Sequence, residues 1–505
     1  MRIQLDRAGE MPLYRQLADH LRRGILSGNL APQSRLPATR RLARDLGVNR
    51  ITIESAYAEL TAEGLVASRA GSGTFVLTPF PLPPRPSPSG ADPARAPWPL
   101  WQEEAARRAS RESPLREAGA PARRAARIDF GSGCGDPRLF PAEEFRKTVQ
   151  MVMQRDGTAA LDYGEHRGYA PLRETITHIL ASQGLPARPE DILITAGSQQ
   201  ALALVAQVLL EPGDTVLVES PTYAGALDLF RMRRLTIVGL ATDGAGMRVA
   251  ELETLLQLHH PKLIYTIPNF HNPTGTCLDG QRRRQLVALA DRYNIPLLED
   301  DFVGDLRYEG RAQPPLKALD PGGRVIYTST FSKMLMPGVR VGFLLVEGPI
   351  YERLVECKRV SDLASSSLLQ RALEAYVTVG RYHAHLRRAC RVYGRRRDAL
   401  LEEIGKHLPS GTDLESPRGG LFAWLRLPDD LTCARLSPPA GRQGVAFAPG
   451  PQFFAAGDAP SGGVAGAACL RLNFAANAEP DIREGVKRLG AAIREARRVS
   501  PRNTR

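Results

Sequence analysis

Nine prolines crowd into residues 79–99 and limit what that part of the chain can form. Proline has no backbone N–H to donate and its ring fixes φ, so this density excludes helix and sheet and favours extended polyproline II structure. At about 3.1 Å per residue, some two dozen such residues span roughly 70 Å. We therefore predict a semi-rigid linker at 78–127 between a first domain at 1–77 and a larger one at 128–505. The linker's part after Trp101 is either loose helix or further spacer.

Composition narrows the class of protein. At about 150 residues per domain, 505 residues predict two to four folded units, and 43% hydrophobic with 24% charged residues is typical of globular chains. Apolar runs stop at about ten residues, whereas a membrane helix needs about 20. The N-terminus also lacks the apolar stretch of a secretory signal. We therefore expect a cytoplasmic protein with no membrane partner.

Cysteines and charge add two further constraints. None of the six cysteines forms a CxxC pair, which argues against a zinc site or a disulfide framework and favours reduced thiols. The net charge of +13 permits a nucleic-acid partner but does not establish one. No metal is predicted.

The region before the prolines shows the apolar periodicity of three short helices. One face of the first consists of four residues spaced four apart, namely Leu13, Leu17, Leu21 and Ile25. Pro37 suits the start of a second helix, which Gly47 ends, and Asn49 is a good N-cap for a third. Two short extended stretches, 65–68 and 73–76, bracket glycines and predict a hairpin, or wing. The order is that of a winged helix–turn–helix.

Residue types at the turn and at the helix starts point to DNA. Ala43, Gly47 and Ile53 supply the small, flexible and branched positions that helix–turn–helix packing requires. Arg40 and Arg50 stand at helix starts, where phosphates and base edges are met. A small helical oligomerisation module is the alternative, but the polar opening of the third helix and the glycine-rich wing favour DNA binding.

These segments closely resemble the winged helix–turn–helix of the GntR family. The resemblance covers residues 11–76 and rests on LPATRRLA (36–43), LGVNRIT (46–52) and GSGTFV (71–76). It implies that the wing enters the minor groove. The implied DNA contacts are Arg40, Arg50, Thr52, Gly71, Ser72 and Gly73.

From Ile128 onward, short apolar strands alternate with longer helical stretches. The clearest strands are 192–195, 214–219, 262–268, 295–300 and 324–330. Such alternation predicts an α/β domain with a mainly parallel sheet covered by helices.

Several spaced fragments in this domain make sense together as a site for pyridoxal phosphate. That cofactor needs a lysine for its Schiff base, an acid against the pyridine nitrogen, a phosphate cup and an aromatic face. Lys333 follows a strand between the hydroxyls of Thr330 and Ser332, and Arg340 offers a fixed positive fork for a phosphate dianion. Taken alone, a lysine with an arginine seven residues later is usually a solvated pair.

The acid and the phosphate cup are predicted from strand ends. Asp300 ends an apolar strand, where α/β sheets bind ligands, although Glu299, Asp300 and Asp301 together leave a bare metal site as an alternative. Ser198 and Gln199 open a helix after a strand and a small loop, so that backbone amides and the helix dipole face an anion. An ordinary strand-to-helix turn explains this piece about equally well.

Three more side chains complete the set. Tyr223 in PTYAG can stack on the ring, Asn272 in NPTG can hydrogen-bond the ring oxygen, and Arg471 in RLNFA can hold a substrate carboxylate bidentately. In their order and spacing, the fragments resemble the fold-type-I aminotransferases over residues 128–490. The resemblance implies that Lys333 is the catalytic residue that binds the cofactor covalently. The implied cofactor contacts are Lys333, Asp300, Asn272, Tyr223, Ser198, Gln199, Thr330, Ser332 and Arg340, and the implied substrate contact is Arg471.

A GntR-type winged helix, a proline-rich linker and an aminotransferase-like body are together similar to the MocR/GabR family of transcription regulators. The family implies a homodimer, domain-swapped head to tail, that binds double-stranded operator DNA and senses an amino compound or pyridoxal 5′-phosphate. One departure is Phe302, where the family commonly has a tyrosine whose hydroxyl reaches the cofactor. The phenolate oxygen then has Asn272 as its main candidate partner.

Two functions stay open at this point. The first is a regulator; the alternative is a working aminotransferase of the aminoadipate or aromatic type with an accessory DNA-binding domain. A purely structural DNA-binding protein is hard to reconcile with an intact Lys333 and Asp300.

Overall fold

The computed structural model describes residues 3, 5–7, 11–69, 72–77, 102, 127–455 and 466–498, and all structural statements below concern these residues. The chain divides into two compact units, Met1–Glu103 and Glu104–Arg505. The predicted spacer at 79–99 and the wing residue Gly71 lie outside the described residues.

The first unit is a three-helix core with a two-stranded wing. Its elements are α1 (Leu13–Leu26), α2 (Thr39–Leu46), α3 (Arg50–Ala62), β1 (Val66–Arg69) and β2 (Gly73–Val76). Asn49 caps α3, as predicted, because its Oδ1 accepts a hydrogen bond from the backbone N–H of Ile51 at 3.0 Å. Gly47 ends α2 in the left-handed conformation, with φ of 61°. β1 and β2 pair antiparallel, which forms the expected wing.

The prediction that α2 begins at Pro37 is wrong by two residues, because the segment before the helix pairs with the wing. The backbone N–H of Leu36 donates to the carbonyl of Thr74 at 2.9 Å, and Arg35 forms a bridge with Phe75. These bonds hold the chain extended as far as Ala38, and the helix starts at Thr39.

The second unit is built on an eight-stranded sheet, with the order β4-β11-β10-β9-β8-β5-β6-β7. Five neighbouring strands from β10 to β6 run parallel, whereas β11 is antiparallel to both of its neighbours and β7 to β6. The strands of this sheet are β4 (Ile192–Thr195), β5 (Thr215–Ser220), β6 (Thr236–Asp243), β7 (Gly246–Met247), β8 (Leu263–Thr266), β9 (Leu297–Asp301), β10 (Val325–Thr330) and β11 (Gly342–Leu345).

Helices and two small sheets complete this unit. Its helices are α4 (Ala142–Asp156), α5 (Ala170–Ser182), α6 (Ser198–Leu209), α7 (Ala224–Met232), α8 (Leu252–His259), α9 (Gly280–Arg292), α10 (Phe331–Met334), α11 (Ile350–Asp362), α12 (Ser367–Thr378), α13 (Arg381–His407), α14 (Cys433–Arg442) and α15 (Glu479–Arg498). The small sheets use β3 (Ile128–Asp129) with β14 (Val445–Ala446), and β12 (Asp413–Leu414), β13 (Phe422–Arg426), β15 (Ala448–Pro449) and β16 (Cys469–Asn473).

The large sheet is buried on both faces. Side chains alternate along a strand, so Val216 and Val218 of β5 enter one apolar core while Leu217 between them enters the other. Near-continuous apolar strands of this kind are typical of helix-covered parallel sheets. None of the helices in the described residues is long and apolar enough to cross a membrane.

Candidate cofactor site

A cavity of about 450 Å³ lies at the carboxyl ends of the sheet strands. Strands β4, β5, β8, β9 and β10 all end at this edge, which is where α/β sheets bind ligands. All ten predicted cofactor and substrate residues line this one cavity: Ser198, Gln199, Tyr223, Asn272, Asp300, Thr330, Ser332, Lys333, Arg340 and Arg471. Side chains from six separate chain segments therefore meet in a volume suited to a small organic ligand.

Asp300 presents an unsatisfied oxygen to this cavity. Its side chain is buried, and Oδ2 accepts a hydrogen bond from the hydroxyl of Tyr265 at 2.9 Å. Its Oδ1 has no hydrogen-bond partner among the described residues. Burial raises the pKa of Asp300 to about 7, the bond from Tyr265 lowers it, and the charge of Asp301 raises it. A buried carboxylate in this state lacks a positive partner.

Hydroxyls and a guanidinium form a cup at one end of the cavity. The Thr330 hydroxyl donates to Ser332 Oγ at 3.1 Å, and Arg340 Nη1 donates to the same oxygen at 3.4 Å. Gly197, directly before α6, has φ of 100°, and a Cβ there would lie 2.8 Å from Arg340 Nη2. The positive φ favours glycine at this position, and the guanidinium approaches the start of α6, where the backbone amides of Ser198 and Gln199 favour an anion.

Lys333 lies in α10, directly after β10. Its Nζ donates to Cys134 Sγ at 3.3 Å, a contact between residues 199 positions apart. The amine is partly buried and has no carboxylate within ion-pair distance among the described residues. The amine is therefore not held by a carboxylate of this part of the chain, and it lines the same cavity as Asp300.

Arg471 is held in place on several sides. Its Nη1 donates to Asn272 Oδ1 at 2.8 Å, and Nη2 donates to the carbonyls of Gly131 and Ser132 at 3.1 Å. The guanidinium lies 4.1 Å from the ring centroid of Phe422. Asn272 therefore uses its oxygen to orient the arginine, and its amide nitrogen is the atom left to face a ring oxygen.

The aromatic wall consists of Tyr223 and Phe302. The Tyr223 hydroxyl donates to Gln199 Oε1 at 3.2 Å, and burial foremost, then the charge of Asp300, raises the pKa of this hydroxyl. Phe302 stacks on Phe422 with 6.4 Å between ring centroids. The phenyl ring of Phe302 gives the cavity an apolar face where a tyrosine would place a hydroxyl.

The first unit exposes both arginines among its predicted DNA contacts. Arg40 is exposed at the start of α2, and Arg50 opens α3 with its side chain 52% exposed. Arg50 Nε donates to Glu54 at 2.6 Å, an exposed pair that contributes little to stability and can be exchanged for a DNA contact. Thr52 is half-buried, and Ile51 between them is 67% exposed, an apolar side chain suited to a thymine methyl group.

The wing is described on both sides of its tip. Ser72 is exposed and Gly73 opens β2 with φ of 108°. A Cβ on Gly73 would lie 2.6 Å from Arg35 Nε, so a larger residue would displace this exposed side chain, and the positive φ itself favours glycine here. Arg35 and Arg69, which are both exposed, add positive charge beside the wing.

Comparison with known proteins gives the same two parts. Residues 128–489 match aminotransferase class I and II, and residues 13–76 match the bacterial regulatory proteins of the gntR family. The probable rhizopine catabolism regulatory protein MocR of Rhizobium meliloti is 30% identical over 97% of this chain and 95% of its own length. This chain belongs to the MocR-type transcriptional regulators. YisV of Bacillus subtilis (strain 168), an uncharacterized HTH-type transcriptional regulator, is 31% identical over 98% of both chains.

A solved structure extends the likeness of this MocR-type chain to the cofactor. LysN, an α-aminoadipate aminotransferase from Thermus thermophilus, is 33% identical, with a TM-score of 0.72. The match covers 79% of this chain and all of LysN, which was solved with N-(5′-phosphopyridoxyl)-L-leucine. The predicted fold class is confirmed, and pyridoxal 5′-phosphate is the cofactor that the family indicates.

The residues present fit that cofactor. Asp300 Oδ1 is the observation that tests the fit, because a buried, unpartnered carboxylate oxygen needs a cation and the pyridinium nitrogen supplies one. The cup of Thr330, Ser332 and Arg340 offers a matching site for the phosphate, and the amine of Lys333 lines the same cavity.

Three residues that support the cofactor site were not identified from the sequence. Tyr265 orients Asp300, Phe422 supports Arg471, and Cys134 touches Lys333. Tyr265 lies within the predicted strand KLIYTIP, and the only available signal was its hydroxyl, which the neighbouring Thr266 also carries. Phe422 and Cys134 carried no such signal, since neither stands in a recognisable motif.

We expect the contribution of Asp300 to the free energy of unfolding of the cofactor-stripped protein to fall as pH rises from 3.8 to about 7. In this interval folded Asp300 retains a proton that the unfolded chain has released, so rising pH favours unfolding. Asp300→Asn removes this group, so the change in the free energy of unfolding between the two ends of the interval should be less negative in the variant than in the parent. Urea unfolding of both proteins at each end of the interval measures the difference. Burial also raises the pKa of Glu299 and Asp305, so some slope persists in the variant, and an unchanged slope would contradict the assignment.

We expect Arg50→Ala and Arg40→Ala to weaken DNA binding in different ways. Removing the base-edge hydrogen bonds of Arg50 costs about 1–3 kcal/mol per bound domain and relaxes base preference. Removing the phosphate-binding charge of Arg40 weakens binding to all sequences alike and flattens the salt dependence. Gel-shift titrations of specific and scrambled DNA at several salt concentrations separate the two signatures. Identical behaviour of both variants would refute the division of roles.

Proposed function

We propose that this chain represses or activates transcription by binding operator DNA through residues 1–77 and by sensing an amino compound in the cofactor cavity of residues 128–505. The observation that carries the proposal is the meeting of all ten predicted side chains in one cavity, in a chain that also has a GntR-type winged helix. The linker at 78–127 connects the two functions. A regulator of this kind acts in the cytoplasm, where bacterial DNA is accessible.

Each cavity residue has a proposed role. Pyridoxal 5′-phosphate, when bound, supplies an aldehyde that captures amines and a ring that withdraws electrons. Lys333 provides the amine that attaches it, and Asp300 keeps the ring nitrogen protonated. Ser198, Gln199, Thr330, Ser332 and Arg340 would hold the cofactor's phosphate, Tyr223 would offer its ring an aromatic face, and Asn272 would donate to its ring oxygen.

Arg471 is the proposed anchor for the ligand's carboxylate. Its guanidinium is buried, fixed by Asn272 and two backbone carbonyls, and packed on Phe422. A preoriented planar fork binds carboxylate bidentately without losing further side-chain freedom. The sensed compound is therefore an amine that also carries a carboxylate.

A homodimer is the proposed working form. Leu161 and Tyr163 are 63% and 81% exposed and border the same surface depression as Ser365–Leu368. Exposed apolar groups gathered in this way are typical of surfaces that a partner covers. A second copy of the chain is the partner that a head-to-tail arrangement requires, with each winged helix crossing to the other subunit.

We expect Arg471→Gln to abolish the response of DNA binding to amino acids while the cofactor's yellow colour remains. The variant keeps the ring and phosphate contacts but loses the carboxylate anchor. Gel-shift titration with and without a panel of amino acids measures the response, and Arg426→Gln on the neighbouring strand, with a 62% exposed side chain, is the matched control. A response retained by Arg471→Gln, or lost in the control, would refute the assignment.

Catalysis is the second candidate function, favoured by the presence of Lys333, Asp300 and Arg471 in one cavity. Full-length similarity to regulators gives it less weight. Mixing the purified protein with an amino acid and a 2-oxo acid, then assaying for a new amino acid, decides between sensing alone and sensing with turnover.

A further inference from the structure

A second cavity of the aminotransferase-like unit has three arginines in its wall. It measures about 370 Å³ and is lined by Arg307, Arg311 and Arg418 together with the loop Thr274–Thr276. The same loop carries Asn272, which lines the cofactor cavity. The two cavities share no lining residue, so the second one is a separate compartment.

The arginines of this cavity form no close ion pairs. None of the three lies within 4.0 Å of a carboxylate in the described part of the chain, whereas many other arginines of this unit do. Burial raises the pKa of Asp301, and the charge of Arg307 acts on this buried carboxyl to lower it. Arg307 is half-buried and stands 4.8 Å from the ring centroid of Phe270, which fixes its position. Because three guanidinium groups line one cavity, their positive charges repel one another, and a bound anion would relieve this repulsion.

Two carboxylates also line the cavity and reduce this charge. Asp279 is occupied as the cap of α9, since its Oδ1 accepts from the backbone N–H of Gln281 at 2.8 Å. Burial, followed by repulsion from Asp413 and Asp243, raises the pKa of Glu415. A group with a raised pKa gives up its charge more readily when its surroundings change, so it opposes an incoming anion less than an ordinary glutamate. The arginines therefore leave net positive charge in the cavity.

We propose that this cavity is a second ligand site, which binds a small phosphate monoester. Several guanidinium forks match the outer oxygens of a phosphate group, whereas a monocarboxylate has only two oxygens to share among them. The volume exceeds that of bare phosphate and leaves room for a small organic group. The site is independent of the proposed sensing of amino compounds by Arg471.

The test is calorimetric titration of inorganic phosphate into the full chain after borohydride has fixed pyridoxal 5′-phosphate to the protein and dialysis has removed free cofactor. The cofactor's own phosphate cup is then filled, and no unbound phosphate monoester competes for the second cavity. We expect one phosphate to bind per chain, and acetate to bind at least tenfold more weakly. The double variant Arg311→Gln with Arg418→Gln should weaken phosphate binding by tenfold or more. Both side chains are exposed, so the fold should tolerate their replacement.

The matched control is Arg284→Gln. Arg284 is an exposed arginine of α9 that does not line the cavity, and its replacement should leave phosphate affinity unchanged. The proposal is overturned if the protein carrying the fixed cofactor binds no phosphate, if acetate binds as tightly, or if the double variant and the control behave alike. If added pyridoxal 5′-phosphate gives neither a yellow colour nor a reduced adduct, the cofactor assignment fails instead, so the two failures are distinguishable.

Discussion

Lys333→Ala should lose all of the cofactor that borohydride fixes to the parent protein. The purified parent is expected to be yellow and, after reduction, to carry one phosphopyridoxyl group per chain on Lys333. This lysine lines the same cavity as Asp300 and the cup around Arg340, which place an aldehyde beside its amine. Mass spectrometry of the intact chain and of its peptides gives the occupancy and the position.

The variant should still retain free cofactor through the cup. Thr330, Ser332 and Arg340 are untouched by the change, and charge-assisted bonds to a phosphate remain available. Lys262→Ala, which changes an exposed lysine outside the cavity, is the control and should keep the full reduced adduct. A reduced adduct on any lysine other than 333 would overturn the assignment.

Motif order was sufficient to predict which side chains share the cofactor cavity. Thr330 ends a parallel strand and Asp300 is the last residue but one of its neighbour, while Ser198, Tyr223 and Asn272 follow strands. Parallel strands all direct their carboxyl ends to one edge of the sheet. Residues at or just after these ends therefore lie close together, and this can be predicted without knowing their individual contacts. Lys333, three residues after Thr330, is predicted to lie at the same edge for the same reason.

Contacts between distant segments could not be predicted in this way. Tyr265 meets Asp300 across two neighbouring strands, and Cys134 meets Lys333 across 199 positions. Such pairs depend on register and on loop paths that no single segment encodes. Only the sequence order of the strands was visible, not which strand lies beside which.

At two helices, tertiary packing also overrides the local sequence preferences for where a helix begins or ends. Helix α14 continues through Pro438 and Pro439, which a propensity argument would place at a helix end. Leu436 and Ala440 of the same helix are buried, so tertiary contacts outweigh the missing hydrogen bonds. At α2 the pairing of Leu36 with the wing delays the helix start in the same manner.

The full chain should bind its operator about 10²–10⁴-fold more tightly than a fragment of residues 1–77. The fragment keeps its own apolar core, in which Leu17, Leu21, Ile53 and Leu60 are buried, so its weakness would not come from unfolding. A single winged helix offers one recognition helix and one wing, and modules of this size make few DNA contacts. In the proposed homodimer the second winged helix binds intramolecularly, at an effective concentration set by the linker.

Gel-shift titrations of the full chain and the fragment on the same operator measure this gain, and circular dichroism confirms that the fragment is folded. A DNA containing only one half-site is the control, on which the full chain should lose most of its advantage because its second winged helix has no specific site to bind. A stiff, proline-rich connection should also make the gain depend on half-site spacing, falling when the spacing no longer matches the reach of the linker. If the fragment binds the intact operator as tightly as the full chain, the aminotransferase-like unit contributes no avidity, and the two-headed dimer is wrong.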